Sequence, residues 1–241
     1  MPQEKESDEV IIVALDVDTR QEALELVDLL KGRVSFFKIG MQLYNSQGPA
    51  IVSQVKEKGV KVFLDLKFHD IPNTVGAASA VAVRMGADMF NLHASGGEAM
   101  LRKAVESAQE EALRLNRSEK PLIIGVTVLT SMNQAALEQL GINRPLEQQV
   151  KSLAELCQGA GLDGVVASPK EIKIIRESCG KDFVIVTPGV RPLWASRDDQ
   201  ERVNTPGEAA ALGASYLVIG RPITAAADPG EALDKILAEI E

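Results

Sequence analysis

The sequence predicts an α/β protein, one (β/α)8 TIM barrel in a single domain. Three observations carry that reading: eight short runs of β-branched and apolar residues, amphipathic stretches between them, and no Pro/Ser-rich linker dividing the 241 residues. The runs are VIIVALD from Val10, FFKIG from Phe36, VKVFLDLK from Val60, MFNLHA from Met89, LIIGVTVL from Leu122, GVVAS from Gly164, FVIVTPG from Phe183 and YLVIG from Tyr216. Their spacing averages roughly 30 residues, the length of one βα unit.

A charged segment, residues 1–9, precedes the first run, and residues 10–241 are expected to form the barrel. Between the runs lie stretches such as TRQEALELVDLLKG, PAIVSQVKEKG and PGEALDKILAEIE, where apolar residues return at helical intervals. Gly32, Gly59, Gly86 and Gly213 follow such stretches, where a left-handed residue would end a helix. A doubly wound open sheet is the alternative. It would more often carry a Gly-rich nucleotide fingerprint after the first strand, and here that turn reads LDVDT.

Composition excludes several functions. With 26 Lys plus Arg against 34 Asp plus Glu, the formal net charge is -8, so there is no basic field for a nucleic-acid polymer. Any phosphate bound should be a small one. Cys157 and Cys179, the only cysteines, lie in helical segments as small hydrophobes, without the paired spacing of a zinc site or disulfide framework. That usage, a charged N-terminus and no run of roughly 18 apolar residues suggest a cytoplasmic protein without membrane contact.

In such a barrel the C-terminal ends of the strands line the active face. The polar residues expected there are Asp16 and Asp18, Lys38, Asp65, Lys67 and Asp70, with His93, Thr130, Ser131, Ser168, Arg191 and Arg221 completing the ring. Side chains two apart on a strand share a face, so Asp65 and Lys67 point inward while Leu64 and Leu66 pack under helices. The same parity sets Asp16 with Ala14 and Ile12, and Lys38 with Phe36 and Gly40.

Burying such charges costs several kcal/mol per ion before pairing, which stability alone does not explain. A Schiff-base lysine must lose its proton, helped by an apolar pocket or a neighbouring cation. Lys67 has carboxylates nearby instead. Its ammonium suits stabilisation of developing negative charge followed by proton donation.

The loops TPGVRP and IGRPIT each set glycine beside arginine after the last two strands, where such barrels commonly bind phosphate. Between Gly189 and Pro206 runs a polar segment long enough to act as a lid, in which Gln200 would reach both a phosphate and a base edge. Trp194 lies in the same segment. His69 and His93, the only histidines, are too few for a histidine-rich metal site; the first is expected to be a loop residue and the second a site-wall or core residue.

The segment DLKFHDIPNT, from Asp65 to Thr74, resembles the signature of the orotidine 5'-monophosphate decarboxylase family. LDVD from Leu15, FKIG from Phe37, HASGG from His93, VLTSM from Val128, TPGVRP from Thr187 and IGRPI from Ile219 match in order across almost the whole chain. The resemblance implies Lys67 as the catalytic lysine, in an alternating array with Lys38, Asp65 and Asp70. It places Asp16 and Lys38 at ribose hydroxyls, with Asp65 also at the substrate, and Thr130 and Ser131 near the pyrimidine. Gln200 would bridge base and phosphate, and Arg191, Gly220 and Arg221 would hold the phosphate.

The family works as a homodimer in which Asp70 and Thr74, with Ile71 between them, enter the neighbouring subunit's site. Pro72 should start a helix and leave Asp70 in the loop before it. The implied reaction is conversion of orotidine 5'-monophosphate to UMP and CO2, the last step of de novo UMP synthesis, through a C6 carbanion and without cofactor or metal. The rivals are a magnesium-dependent decarboxylase or aldolase of sugar phosphates, sharing the Asp-x-Lys-x-x-Asp pattern, and a nucleotide-binding barrel with decayed catalysis.

Overall fold

The computed structural model describes residues 7–194 and 204–240. From a single helical turn, Ser7–Val10, the chain enters β1 (Ile11–Ala14), followed by β2 (Phe36–Gly40), β3 (Lys61–Phe68) and β4 (Met89–His93). The second half supplies β5 (Leu122–Val126), β6 (Gly164–Val166), β7 (Val184–Pro188) and β8 (Tyr216–Ile219). All eight runs read from the sequence are strands. They pair in parallel and in chain order, and β1 closes on β8 through Ile12 opposite Val218.

Two apolar layers result from the period-2 alternation of the strands. Ile12, Ala14, Phe36, Phe63, Met89, Ile124, Val186 and Val218 fill the barrel interior. Ile11, Val13, Phe37, Ile39, Leu64, Phe90 and Leu92 face the helices. Leu64 thus lies under the helical layer as expected, and Leu66 packs against the same layer.

Local chemistry fixes where the helices begin. Thr19 caps the helix Arg20–Leu30 and exchanges hydrogen bonds with Glu22, and Thr205 and Glu208 form the same reciprocal box. Pro72 occupies the first turn of the helix Pro72–Arg84, which leaves Asp70 in the preceding loop. That helix packs closely on Glu98–Arg114: a Cβ at Gly76 would lie 2.8 Å from Ser107 Oγ. Gly59, Gly86 and Gly213 adopt positive φ after helical stretches as expected. Gly32 does not; Lys31 ends its helix in the right-handed region, so the turn there needs no left-handed residue.

Side chains just before three even-numbered strands tie the N-terminal end of the barrel. Asp88 accepts the Val62 N–H at 2.7 Å, Asp163 accepts the Ile123 N–H at 2.7 Å and Ser215 accepts the Ile185 N–H at 3.0 Å. Each supplies an acceptor to a donor at the start of the preceding strand. The opposite end is left to the loops.

Candidate active site

The C-terminal ends of the strands open into a cleft of about 350 Å³. Phe63, Val186 and Val218 form its apolar floor, continuous with the barrel interior. Above them stand Asp16 after β1, Lys38 on β2, and Asp65 and Lys67 on β3, with Thr130 beyond β5. Arg191, Gly220 and Arg221 bring the two Gly-Arg loops to the same cleft.

The charged groups form one chain of contacts. Lys38 Nζ donates to Asp16 Oδ1 at 3.0 Å and lies 3.4 Å from Asp65 Oδ2. Lys67 Nζ donates to Asp65 Oδ1 at 2.6 Å. The Lys38 and Asp65 side chains are only 10% and 14% exposed, so these contacts operate largely out of water. Desolvation pushes the Asp65 carboxyl up, but Lys38, Lys67 and the amide of Asn91 outweigh it and hold the group below the usual carboxylate range. Asp65 is therefore an anion at neutral pH, and both ammonium groups have a fixed counter-charge.

Strand β3 departs from regularity where it carries Lys67. Leu64 lies opposite Phe90 and Phe68 opposite Leu92, so four residue steps of β3 run beside two of β4. Within this bulge Lys67 takes φ +54°, the left-handed region, at a cost of roughly 1–2 kcal/mol for a residue with a Cβ. The parity argument puts Asp65 and Lys67 on one face, and both do line the cleft. For Lys67, however, the bulge rather than plain alternation sets the direction.

Asn91 was not among the residues read from the sequence. It is 1% exposed on β4, accepts the Lys67 N–H at 2.8 Å and donates to Asp65 Oδ1 at 2.7 Å. Parity with Met89, which faces the interior, was the available signal.

Other expected members of the ring stand apart from the lining. Asp18 accepts from Gln42 at 2.8 Å in an exposed contact and does not line the cleft. Ser168 is not part of the wall: its hydroxyl accepts the Lys170 N–H and its own N–H bonds Glu171, so it starts the turn Pro169–Glu171. Ser131 is exposed next to Thr130 but does not line the cleft. The His93 ring lies 5.4 Å from that of His69, and burial, with the His69 and Lys67 charges, pushes its imidazole below the ordinary value. His93 is neutral at pH 7.

Asp70 and Thr74 are exposed and Ile71 is 66% exposed; none of the three lines this chain's own cleft. The Asp70 carboxylate accepts the Ile71 N–H at 2.6 Å. Trp194 is 46% exposed with Lys235 Nζ 5.8 Å from its ring centroid. Gln200 lies outside the described residues.

Among the described residues no group of three or more His, Cys, Asp or Glu is arranged to hold a metal ion, and no helix is long and apolar enough to cross a membrane.

A closed parallel barrel with a charged cleft at its C-terminal face defines the class, a TIM-barrel enzyme. The model of the Orotidine 5'-phosphate decarboxylase / HUMPS family matches residues 9–236. The chain is 57% identical to the orotidine 5'-phosphate decarboxylase of Moorella thermoacetica over 96% of this chain and 92% of the relative. It is 53% identical to that of Heliobacterium modesticaldum, over 98% and 97%. Among solved structures, the orotidine 5'-phosphate decarboxylase of Lactobacillus acidophilus superposes with a TM-score of 0.85 at 35% identity, covering 97% of this chain and all (100%) of that one. The chain belongs to the Orotidine 5'-phosphate decarboxylase / HUMPS family, and within it is a carboxy-lyase.

Proposed function

We propose that the protein converts orotidine 5'-monophosphate to UMP and CO2, with Lys67 stabilising and then protonating the C6 carbanion. The observation that carries this reading is the Lys38–Asp65–Lys67 array at 3.4 and 2.6 Å, held over an apolar floor in the cleft that Arg191 and Arg221 share. The substrate's phosphate is assigned to Arg191, Gly220 and Arg221, its ribose hydroxyls to Asp16 and Lys38, and its pyrimidine to the side of Thr130 and Ser131. Gln200 is assigned to bridge base and phosphate.

In the reaction the C6–carboxylate bond breaks, CO2 leaves, and the electron pair remains at C6. That pair lies in the ring plane and is not delocalised into the π-system, so the protein must supply the stabilisation electrostatically. The Lys67 ammonium supplies it and transfers a proton to C6; water then reprotonates the amine. Asp65, placed between Lys38 and Lys67, holds the Lys67 side chain in position before substrate arrives. Phosphate contacts remote from C6 contribute binding energy that helps assemble the site.

The magnesium-dependent rival requires free carboxylates. Asp16 is engaged by Lys38, and Asp65 by both lysines, so a divalent ion would enter between existing cations. This favours chemistry without cofactor or metal.

The assigned unit is a homodimer. Asp70, Ile71 and Thr74 project outside this chain's own cleft, in the loop and first helical turn after β3, as residues serving a neighbouring subunit's site would. We assign residues 10–241 to the catalytic barrel, residues 1–9 to a charged leading segment, and the protein to the cytoplasm.

The test follows orotidine 5'-monophosphate absorbance with wild type and Lys67→Ala, each with and without EDTA. Turnover by wild type that survives chelation and is lost in Lys67→Ala supports the reading. A wild type without turnover, or one stopped by chelator, overturns it.

A further inference from the structure

We infer that Asn91 is a positioning residue for decarboxylation, a strap whose one amide sets both the backbone of Lys67 and the carboxylate of Asp65. This rests on the function proposed above.

Asn91 sits on β4 between Met89 and His93 and is 1% exposed. Its Oδ1 accepts the Lys67 N–H at 2.8 Å, and its Nδ2 donates to Asp65 Oδ1 at 2.7 Å. The chemistry of the neighbours fixes the amide's orientation: a backbone N–H only donates, and an ionised carboxylate only accepts. The position therefore needs one donor and one acceptor on a short planar group. Leucine offers neither, aspartate only acceptors, and glutamine is one methylene longer.

Both contacts bear on groups that regular structure leaves loose. Between Leu64 and Phe68 the register of β3 on β4 is broken, and Lys67 stands in this gap at φ +54°. The Asn91 side chain supplies the acceptor that a regular ladder would have provided. The same amide shares Asp65 Oδ1 with Lys67 Nζ, which lies 2.6 Å from that oxygen. Backbone, carboxylate and ammonium are thus registered against one another by a residue that does not line the cleft.

Loss of the strap should misplace the ammonium relative to C6 and leave the phosphate contacts alone. A displacement of about 1 Å can cost about 10²-fold in rate. Asn91→Ala is expected to lower kcat by about 10²-fold with KM for orotidine 5'-monophosphate and affinity for UMP close to wild type. Asn91→Asp, which keeps shape and the acceptor but turns an anionic oxygen on Asp65, should lose kcat comparably; it decides the matter if Asn91→Ala does not fold. A folded variant with wild-type kcat, or one changed in KM alone, overturns the inference. Wild type assayed in parallel separates the two failures: no wild-type turnover refutes the proposed function, whereas an active wild type with an equally active Asn91 variant refutes only the strap.

Discussion

Gly40 lies against the ammonium of Lys38: a Cβ at position 40 would stand 2.8 Å from Lys38 Nζ and 3.4 Å from Asp16 Oδ1. Its φ is -92°, so the backbone does not require glycine and the constraint is space alone. The nearest atom is the tip of a flexible side chain, which can withdraw. Gly40→Ala should therefore fold normally while displacing Lys38 from Asp16 and Asp65. We expect kcat/KM to fall about tenfold or more with little change in Tm, measured by steady-state kinetics and thermal unfolding. An unchanged kcat/KM would show that Lys38 tolerates displacement.

The proposed shared site predicts complementation. Lys67→Ala and Asp70→Ala proteins, each inactive alone, should regain part of the activity when mixed, because a hybrid dimer holds one site with both residues intact. Recovery should follow subunit exchange, monitored with differently tagged chains. Verified exchange without any recovered turnover would remove Asp70 from the neighbouring site.

Away from the cleft, Glu111 joins its helix, Glu98–Arg114, to the helix Pro72–Arg84 through Arg84 at 3.2 Å, and also pairs with Arg114 on its own helix at 2.6 Å. Hydrogen bonding to Arg114 first, reinforced by Arg84, lowers its carboxyl from 4.5 to about 2. A depressed carboxyl contributes stability above its unfolded value and loses it as pH falls through the folded one. Glu111→Gln should therefore lower stability at pH 7, with the deficit shrinking as pH falls from 4.5 towards about 2. Urea unfolding at several pH values measures this; a deficit independent of pH would mean that packing, not charge, sets the effect.

Burial pushes the Cys157 thiol up to about 12, with a smaller contribution from Cys179, and Cys179 is itself raised by burial. Thiolates are the reactive species, so neither side chain should react with a disulfide reagent in the native protein at pH 8. Both should react after denaturation. Rapid labelling of the folded protein would contradict the buried packing of Cys157 against Gly125.

Much of the barrel was legible because parallel strands buried on both faces read as continuous apolar runs. The inward charges at Asp16, Lys38 and Asp65 followed from two-residue parity alone. Lys67 reached the right face for an incomplete reason, since neither glycine nor asparagine marks its left-handed backbone in the sequence. Asn91 was legible by the same parity but is a neutral amide among charges, and its link between Lys67 and Asp65 appears only when both partners are in place. Ser168 misled because a serine at a strand end is equally suited to cap the next turn.

The break in register along β3 also bears on how such a barrel can change. Hydrogen bonding between strands fixes most of the wall, so altering it would disturb neighbours on either side. The stretch bearing Lys67 is different: on the β4 side it is held by the side chain at position 91 instead of the sheet ladder. On the proposed function, a change at position 91 would therefore act on the placement of Lys67 against Asp65 rather than on the strand pairings that close the barrel.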